Sequence, residues 1–286
     1  MDFNIVLADR RQHTRCFDDV MTACVHGLRN LGHTAVNTSA FDPDRINVVF
    51  GYYFTKDRFP ERSIIYQLEP VCDPLLANNF HVPVKDLRRH LVWDYSRYNV
   101  ERLRQLGVEA HYVPIGHHPV LQRVAAVPEQ DIDVLFYGDP APRRRAILSE
   151  LDRRGLRTEC AVHIYGEDLD PLIARAKVVL NMHKANQYHP LESVRVGYLL
   201  SNRKAVVAEV NHNDDADDLG GGIAAVPLPR LVDTCVDLVR DDKARTELAD
   251  KGFAVISRRP ITGILDGVLH TAEALDPLAG AWGPRC

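Results

Sequence analysis

The chain has 286 residues, a formal net charge of −4 and a hydrophobic fraction of 45%. This length suits two modest domains or one large domain. The negative charge argues against a broad nucleic-acid-binding surface, so no nucleic acid partner is expected. No apolar run reaches the length of a membrane span and the start shows no signal peptide. We therefore expect a cytoplasmic protein without a transmembrane segment, and peripheral membrane contact stays open.

The six cysteines and 13 histidines show no metal-ligand or disulfide pattern. No C-x-x-C pair occurs, and the close histidine sets, His117 with His118 and His183 with His189, lack a third convergent ligand. The sequence therefore predicts reduced cysteines, no metal site and no cofactor.

The first half of the chain alternates apolar strands with helices. Asn4–Ala8, Ile46–Phe54 and Ser63–Leu68 are predicted strands, Cys16–Leu31 a helix, and Asp73–Phe80 a short helix. Such alternation predicts an α/β protein with a parallel, doubly wound sheet. No G-x-G-x-x-G follows the first strand, so the common dinucleotide-binding motif is absent there.

The polar composition of Gly116–Asp131 predicts a linker between two domains, residues 1–118 and 119–286. The second domain opens with the apolar strand Ile132–Tyr137, and Ala146–Arg154 is its first predicted helix. The chain then runs through alternating strands and helices to a loose Gly/Pro-rich tail.

A glycine and three arginines lie between that strand and that helix. A helix amino terminus presents free N–H groups and a positive dipole end, which suit a phosphate. Gly138 would let a ligand approach the backbone, and Arg143, Arg144 or Arg145 could clamp an anion. The alternative interpretation is a solvated basic turn.

The stretch 178–210 forms one strand–loop–helix–strand unit. Val178–Met182 and Ala205–Val210 are predicted buried strands, and Pro190–Leu200 is the helix between them. The polar loop that begins at His183 should lie at the carboxyl end of its strand, where ligands bind in such sheets.

Glu192 would fall in the first turn of this helix. It could cap free N–H groups, or it could accept hydrogen bonds from sugar or ribose hydroxyls. Arg195 could pair with Glu192 or reach a phosphate.

Four short motifs together resemble the donor-binding domain of bacterial GT-B glycosyltransferases. They are FYG followed by RR (136–144), LNMH (180–183), ESVR (192–195) and VVAE (206–209). The resemblance implies two Rossmann-like domains with parallel sheets and an interdomain cleft, and a last helix, Ile261–Leu275, that crosses back to the first domain. The first domain would take an acceptor of polysaccharide or glycoconjugate biosynthesis, and the second a nucleotide-diphosphate sugar as co-substrate.

The resemblance also implies donor-binding residues. They are Gly138, Arg143, Arg144, Tyr165, His183, Glu192, Arg195 and Glu209. Many retaining GT-B enzymes carry a second glutamate in the helix region where this chain has Leu200. Positive charge at the donor site would stabilise the leaving diphosphate in place of a metal.

An inverting enzyme would also need a base in the first domain. His13 and Glu69 are the candidates, because each follows a predicted strand, and Asp94 ends another. Each of these side chains could equally cap a neighbouring helix.

Two other classes of function stay open. A catalytically silent GT-B-like module would bind a carbohydrate or a protein, and its mark would be donor-loop arginines held in internal salt bridges. A nucleotide-sugar epimerase would act on the donor without an acceptor, and a phosphorylase would need a pyridoxal-phosphate lysine, for which Lys184 and Lys204 have no supporting context.

Overall fold

The structure is a computed structural model that describes residues 1–8, 12–52, 59–71, 84–186, 188–211 and 217–276. The chain divides into two compact units. The first unit comprises Met1–His118 with Pro260–Cys286, and the second comprises Pro119–Arg259.

The first unit is built on a six-stranded parallel sheet in the order β2-β1-β3-β4-β5-β6. The strands are β1 (Asp2–Leu7), β2 (Thr34–Thr38), β3 (Ile46–Phe50), β4 (Ser63–Gln67), β5 (Leu91–Asp94) and β6 (His111–Tyr112). The described helices are α1 (Asp18–Asn30), α2 (Val84–Leu87), α3 (Arg97–Gln105) and, from the end of the chain, α9 (Ile261–Val268). Strands β3 and β4 are buried throughout, as expected for the centre of a parallel sheet covered on both faces.

The end of the described chain packs within this first unit. Helix α9 lies against α1, where a Cβ on Gly27 would come within 2.9 Å of both Ile261 and Leu265. The N–H of Ile261 donates to the carbonyl of His117 at 2.8 Å. Helix α9 therefore packs on α1 within the first unit.

The second unit holds a five-stranded parallel sheet in the order β11-β10-β9-β7-β8. Its strands are β7 (Ile132–Tyr137), β8 (Thr158–Ala161), β9 (Ala176–Asn181), β10 (Ala205–Glu209) and β11 (Ala224–Val226). Its helices are α4 (Pro142–Arg153), α5 (Asp170–Arg175), α6 (Ser193–Ser201), α7 (Leu231–Arg240) and α8 (Asp242–Ser257). The predicted α/β class with parallel sheets is confirmed.

Two helix starts differ from the sequence prediction. Helix α4 begins at Pro142, four residues before the predicted Ala146, because proline has the backbone angle of a first helical residue. Helix α6 begins at Ser193, three residues after the predicted Pro190, so Glu192 precedes the helix. The predicted helix Asp73–Phe80 lies outside the described residues. No helix in the described part of the chain is long and apolar enough to cross a membrane.

Candidate functional site

The carboxyl edge of the five-stranded sheet gathers most of the predicted donor residues. Because all strands run parallel, the segments that follow β7, β8, β9 and β10 leave the sheet at this same edge. Gly138 follows β7, His183 follows β9, and Glu209 is the last residue of β10.

Gly138 makes the turn between β7 and α4. Its φ of +131° lies in a region that residues with a Cβ rarely adopt. A Cβ at this position would also lie 3.2 Å from Nη2 of Arg195. The glycine therefore lets the turn pass directly over a guanidinium group.

Arg143, in the first turn of α4, forms a two-pronged ion pair with Glu209. Its Nη1 donates to Oε2 of Glu209 at 2.7 Å and its Nη2 donates to Oε1. Nη1 also donates to the carbonyl of His183 at 3.0 Å, and Nε to Oδ1 of Asn186 at 2.7 Å. Glu209 further accepts from the backbone N–H of His183 at 3.0 Å and from Asn211 at 3.1 Å. This buried carboxylate thus joins α4 to the segments after β9 and β10.

Arg144 is buried beneath the same turn. Its Nε and Nη2 donate to the carbonyl of Met182 at 3.1 and 2.7 Å, and its Nη1 donates to the carbonyl of Asp139 at 3.1 Å. Nη2 also donates to Oε1 of Glu192 at 2.6 Å. The solvated basic turn is therefore the wrong interpretation for Arg144, because its guanidinium is buried and donates four hydrogen bonds to protein acceptors.

Glu192 lies between two arginines. Its Oε1 accepts from Arg144, and its Oε2 pairs with Arg195, which lies three residues further along the chain. No capping hydrogen bond from the Glu192 side chain to α6 is present in this part of the structure, so the capping interpretation is wrong. Arg195 also donates to Oδ1 of Asn181 at 2.7 Å and lies 4.8 Å from the ring centroid of Tyr137.

The arginines keep both carboxylates ionised. Burial raises the pKa of Glu192, but the charges of Arg195 and Arg144 outweigh burial and leave the pKa below its ordinary value. Burial likewise raises the pKa of Glu209, but the hydrogen bonds from Arg143 and Asn211 and the charges of His183 and Arg143 together leave this pKa below its ordinary value as well. Both groups are therefore acceptors at neutral pH.

An exposed ion pair lies beside this cluster. Nζ of Lys184 lies 2.6 Å from Oδ2 of Asp139, which connects the loop after β9 with the turn after β7. The hydrogen bond from Lys184 lowers the pKa of Asp139, as do the charges of Lys184, Arg144 and Arg145. Sequence reasoning missed both members of this pair, although Lys184 stands directly after His183.

The ion pairs after β7, β9 and β10 form one cluster of charged side chains at this edge. Its cations are Arg143, Arg144, Arg145, Lys184 and Arg195, and its carboxylates are Asp139, Glu192 and Glu209. Cations therefore outnumber carboxylates by two in this cluster, whereas Glu167 and Asp168, in the segment after β8, add negative charge to the same edge. Nε of Arg195 and Nδ2 of Asn181 are buried donors without a protein acceptor among the described residues. The excess of cations in the cluster and the spare donors favour an anionic, oxygen-rich ligand.

Two predicted donor residues contribute in other ways. The side chain of His183 is buried, and its backbone N–H and carbonyl make the contacts with Glu209 and Arg143. Tyr165 follows β8 and is half-buried at the start of a 3₁₀ segment, Gly166–Asp168. Among the described residues, no group of three or more His, Cys, Asp and Glu side chains is arranged to hold a metal ion.

The two candidate bases belong to the first unit. His13 lies in a 3₁₀ segment, Gln12–Phe17, and its side chain is outside the described residues. Glu69 is half-buried after β4, and its carbonyl accepts from Asn99 Nδ2 at 2.9 Å. Asp94 is fully buried at the end of β5, where burial raises its pKa well above the ordinary value. Ser96 caps α3 by accepting from the N–H of Asn99.

No protein-family model matches the chain. The uncharacterized protein L140 of Acanthamoeba polyphaga mimivirus is 27% identical over 171 residues, which cover 57% of this chain and 56% of L140. The uncharacterized protein L138 of the same virus is 26% identical over 136 residues, which cover 45% of this chain and 15% of L138. The chain thus spans about half or less of the length of these curated relatives.

Several solved structures resemble the whole chain. HepE from Anabaena, in complex with UDP-glucose, has a TM-score of 0.59 at 13% identity, covering 96% of this chain and 100% of HepE. AviGT4, a glycosyltransferase involved in avilamycin A biosynthesis, has a TM-score of 0.57 at 16% identity, covering 98% of this chain and 99% of AviGT4. Sucrose-phosphate synthase from Thermosynechococcus elongatus has a TM-score of 0.61 at 11% identity, covering 96% of this chain and 100% of the synthase. With two parallel α/β units and these neighbours, the chain has the fold of GT-B glycosyltransferases.

Proposed function

We propose that the chain is a glycosyltransferase that moves a sugar, a hexose in our proposal, from a nucleoside-diphosphate sugar to a hydroxyl-bearing acceptor. The observation that carries the proposal is the cluster of five cations and three carboxylates formed by the segments after β7, β9 and β10 at the carboxyl edge of the five-stranded sheet. A diphosphate is an anion that such an edge attracts, and parallel α/β sheets bind ligands at this edge. One structural neighbour, HepE, was solved with UDP-glucose, which makes UDP the first nucleotide to test.

The chemistry of the proposal follows from the charges. The leaving nucleoside diphosphate gains negative charge as the bond to the sugar breaks, and fixed cations and N–H groups around it would lower the barrier. In this proposal the protein's own cations perform this role without a metal ion. Glu192, ionised and partly exposed, would accept hydrogen bonds from donor hydroxyls. For the base that deprotonates the acceptor hydroxyl, we propose either His13 or Glu69.

One observation favours a second candidate, the silent binding module. Arg143 and Arg144 are held in internal ion pairs with Glu209 and Glu192, which is the arrangement expected of a module that no longer processes a donor. The excess of cations in the cluster remains after these pairs are counted, and it supports nucleotide binding in either case. Turnover is therefore the property that separates the two candidates.

The test has a binding arm and a turnover arm. Titration calorimetry with UDP, GDP, ADP, TDP and CMP measures nucleotide affinity, and thermal unfolding at about 100 times the dissociation constant should show about 2.7 kcal/mol of added stability. Incubation with the matching nucleotide sugar, with and without EDTA, then measures release of the nucleoside diphosphate. We expect one diphosphate to bind and EDTA to leave release unchanged.

Each result decides between the candidates. Release of the diphosphate together with formation of a glycoside supports the transferase. Binding without release at any acceptor concentration supports the silent module. Conversion of the donor sugar without acceptor supports an epimerase, and absence of binding by all five nucleotides overturns the proposal.

A further inference from the structure

The cations at the carboxyl edge differ sharply in their access to solvent. The exposed fraction of the side chain is 18% for Arg143, 5% for Arg144 and 14% for Arg195, but 52% for Lys184. A phosphate arriving from solution therefore meets Lys184 before these three arginines, and Arg145 in α4 is also exposed. The three arginines already donate to protein carboxylates, carbonyls or amide oxygens.

The partner of Lys184 is the most exposed of the three carboxylates. Asp139 is 56% exposed, whereas the partner of Arg143, Glu209, is fully buried. Ion pairs in contact with solvent contribute little to stability, so Lys184 can exchange Asp139 for another anion at small cost. Exchange of Glu209 would instead leave a buried carboxylate without its cation.

Lys184 lies in the loop after β9 that Arg143 holds by hydrogen bonds. The residue before it, His183, and a residue two positions after it, Asn186, both accept hydrogen bonds from Arg143. The carboxylate that Lys184 now holds lies in the combined field of Lys184, Arg144 and Arg145. A ligand phosphate that replaced this carboxylate would experience the same field.

We propose that Lys184 binds the diphosphate of the nucleotide donor, and that a phosphate oxygen takes the place of the Asp139 carboxylate. This inference rests on the proposed function and assigns the diphosphate contact to a residue outside the sequence motifs. Arg143 and Arg144 then act as positioning residues that hold the loop in place.

The test compares a nucleoside diphosphate with its nucleoside. Calorimetric dissociation constants are measured for UDP and uridine on the intact chain and on Lys184→Ala, or for GDP and guanosine if GDP is the nucleotide that binds. The matched control is Lys243→Ala, which also removes one exposed lysine from an ion pair, 3.9 Å from Glu247 in helix α8. We expect Lys184→Ala to weaken the diphosphate at least tenfold and to leave the nucleoside unchanged, with no effect of Lys243→Ala.

A second variant probes the competing carboxylate. Asp139→Asn keeps the backbone carbonyl that accepts from Arg144 and from the N–H of Ala141, and it removes the negative charge. We expect this variant to bind the diphosphate severalfold more tightly than the intact chain. Tighter diphosphate binding by Asp139→Asn together with weaker diphosphate binding by Lys184→Ala supports the exchange.

The outcomes separate this inference from the proposed function. If the intact chain binds UDP or GDP and the dissociation constant of Lys184→Ala is within twofold of that of the intact chain, the role of Lys184 is overturned and the donor site stands. Weaker binding by Asp139→Asn also overturns the exchange. If the intact chain binds no nucleotide, the proposed function fails and this inference fails with it.

Discussion

Arg144 donates a hydrogen bond from Nη2 to Oε1 of Glu192 at 2.6 Å, although 48 positions of the sequence separate the two residues. The pair joins the first turn of α4 to the residue that precedes α6. Arg144 is buried and satisfies two backbone carbonyls in addition to Glu192. This pair is therefore a structural link at the edge of the sheet as well as part of its charge pattern.

Replacement of Arg144 by methionine should destabilise the chain by about 3–5 kcal/mol, because it removes the donor to Oε1 of Glu192 and to the carbonyls of Met182 and Asp139. Urea unfolding measures the change. Arg153→Met in the same helix is the control, since Arg153 is 73% exposed and pairs with Glu150 at the surface. The control should change stability by less than about 1 kcal/mol. Equal effects of the two variants would contradict an interior role for Arg144.

The two buried carboxylates predict a loss of stability in acid. The pKa values of Glu192 and Glu209 lie below their ordinary value of 4.5 in the folded chain. Their contribution is therefore complete above pH 4.5 and disappears as the pH falls through the lowered folded values. Unfolding free energies of the intact chain and of Glu209→Gln, measured between pH 7 and pH 3, should converge as the pH falls. A constant difference across this range would show that Glu209 is not held ionised.

Lys204 predicts that stability also rises with pH in the basic range. Its Nζ donates to the carbonyls of Ala174 at 3.3 Å and Ala176 at 2.8 Å, and burial together with the charge of Arg245 lowers its pKa to about 8. Because the unfolded chain binds this proton up to pH 10.5, folding stability from Lys204 should rise between about pH 8 and pH 10.5. The slope for one proton is at most about 1.4 kcal/mol per pH unit.

The measurement for Lys204 is a difference between two proteins. Burial raises the pKa of Cys24 and Cys235 to about 12, which makes the chain less stable as the pH rises above their ordinary value of 9.0. Both cysteines are present in the intact chain and in Lys204→Met, so their effect cancels. The intact chain should gain stability relative to Lys204→Met from pH 8 to pH 10.5. A difference that does not change with pH would mean that Lys204 keeps its ordinary pKa.

Two helical glycines predict opposite effects of an added methyl group. A Cβ on Gly252 would lie 2.7 Å from Leu200 Cδ2 and 2.8 Å from the carbonyl oxygen of Gly222. Gly252→Ala should therefore cost about 1–3 kcal/mol. A Cβ on Gly267 would meet nothing within 4 Å, so Gly267→Ala should add about 0.4–1 kcal/mol of stability. Thermal unfolding of both variants measures the contrast, and stabilisation by Gly252→Ala would contradict close packing of α8 at this point.

The sequence predicted the strands of both sheets better than the starts of the helices. The strand Ile132–Tyr137 has the bounds that the apolar run predicted. The start of α4 was placed four residues late, because three consecutive arginines are unfavourable beside the positive end of a helix. The acidic partners that compensate two of them, Glu192 and Glu209, follow much later in the chain and become neighbours only in the folded sheet.

The sequence by itself determined the class of fold and the edge of the sheet at which polar residues collect. Both follow from local patterns, since apolar runs specify buried parallel strands and the residues after each strand share one edge. The tertiary structure decided which charges at that edge are neutralised in buried ion pairs and which remain exposed to solvent. Arg143 and Arg144 pair with buried or half-buried carboxylates, whereas Lys184 keeps a solvent-exposed partner. Burial and pairing depend on residues far apart in the chain, so only the folded sheet could assign the roles of these cations.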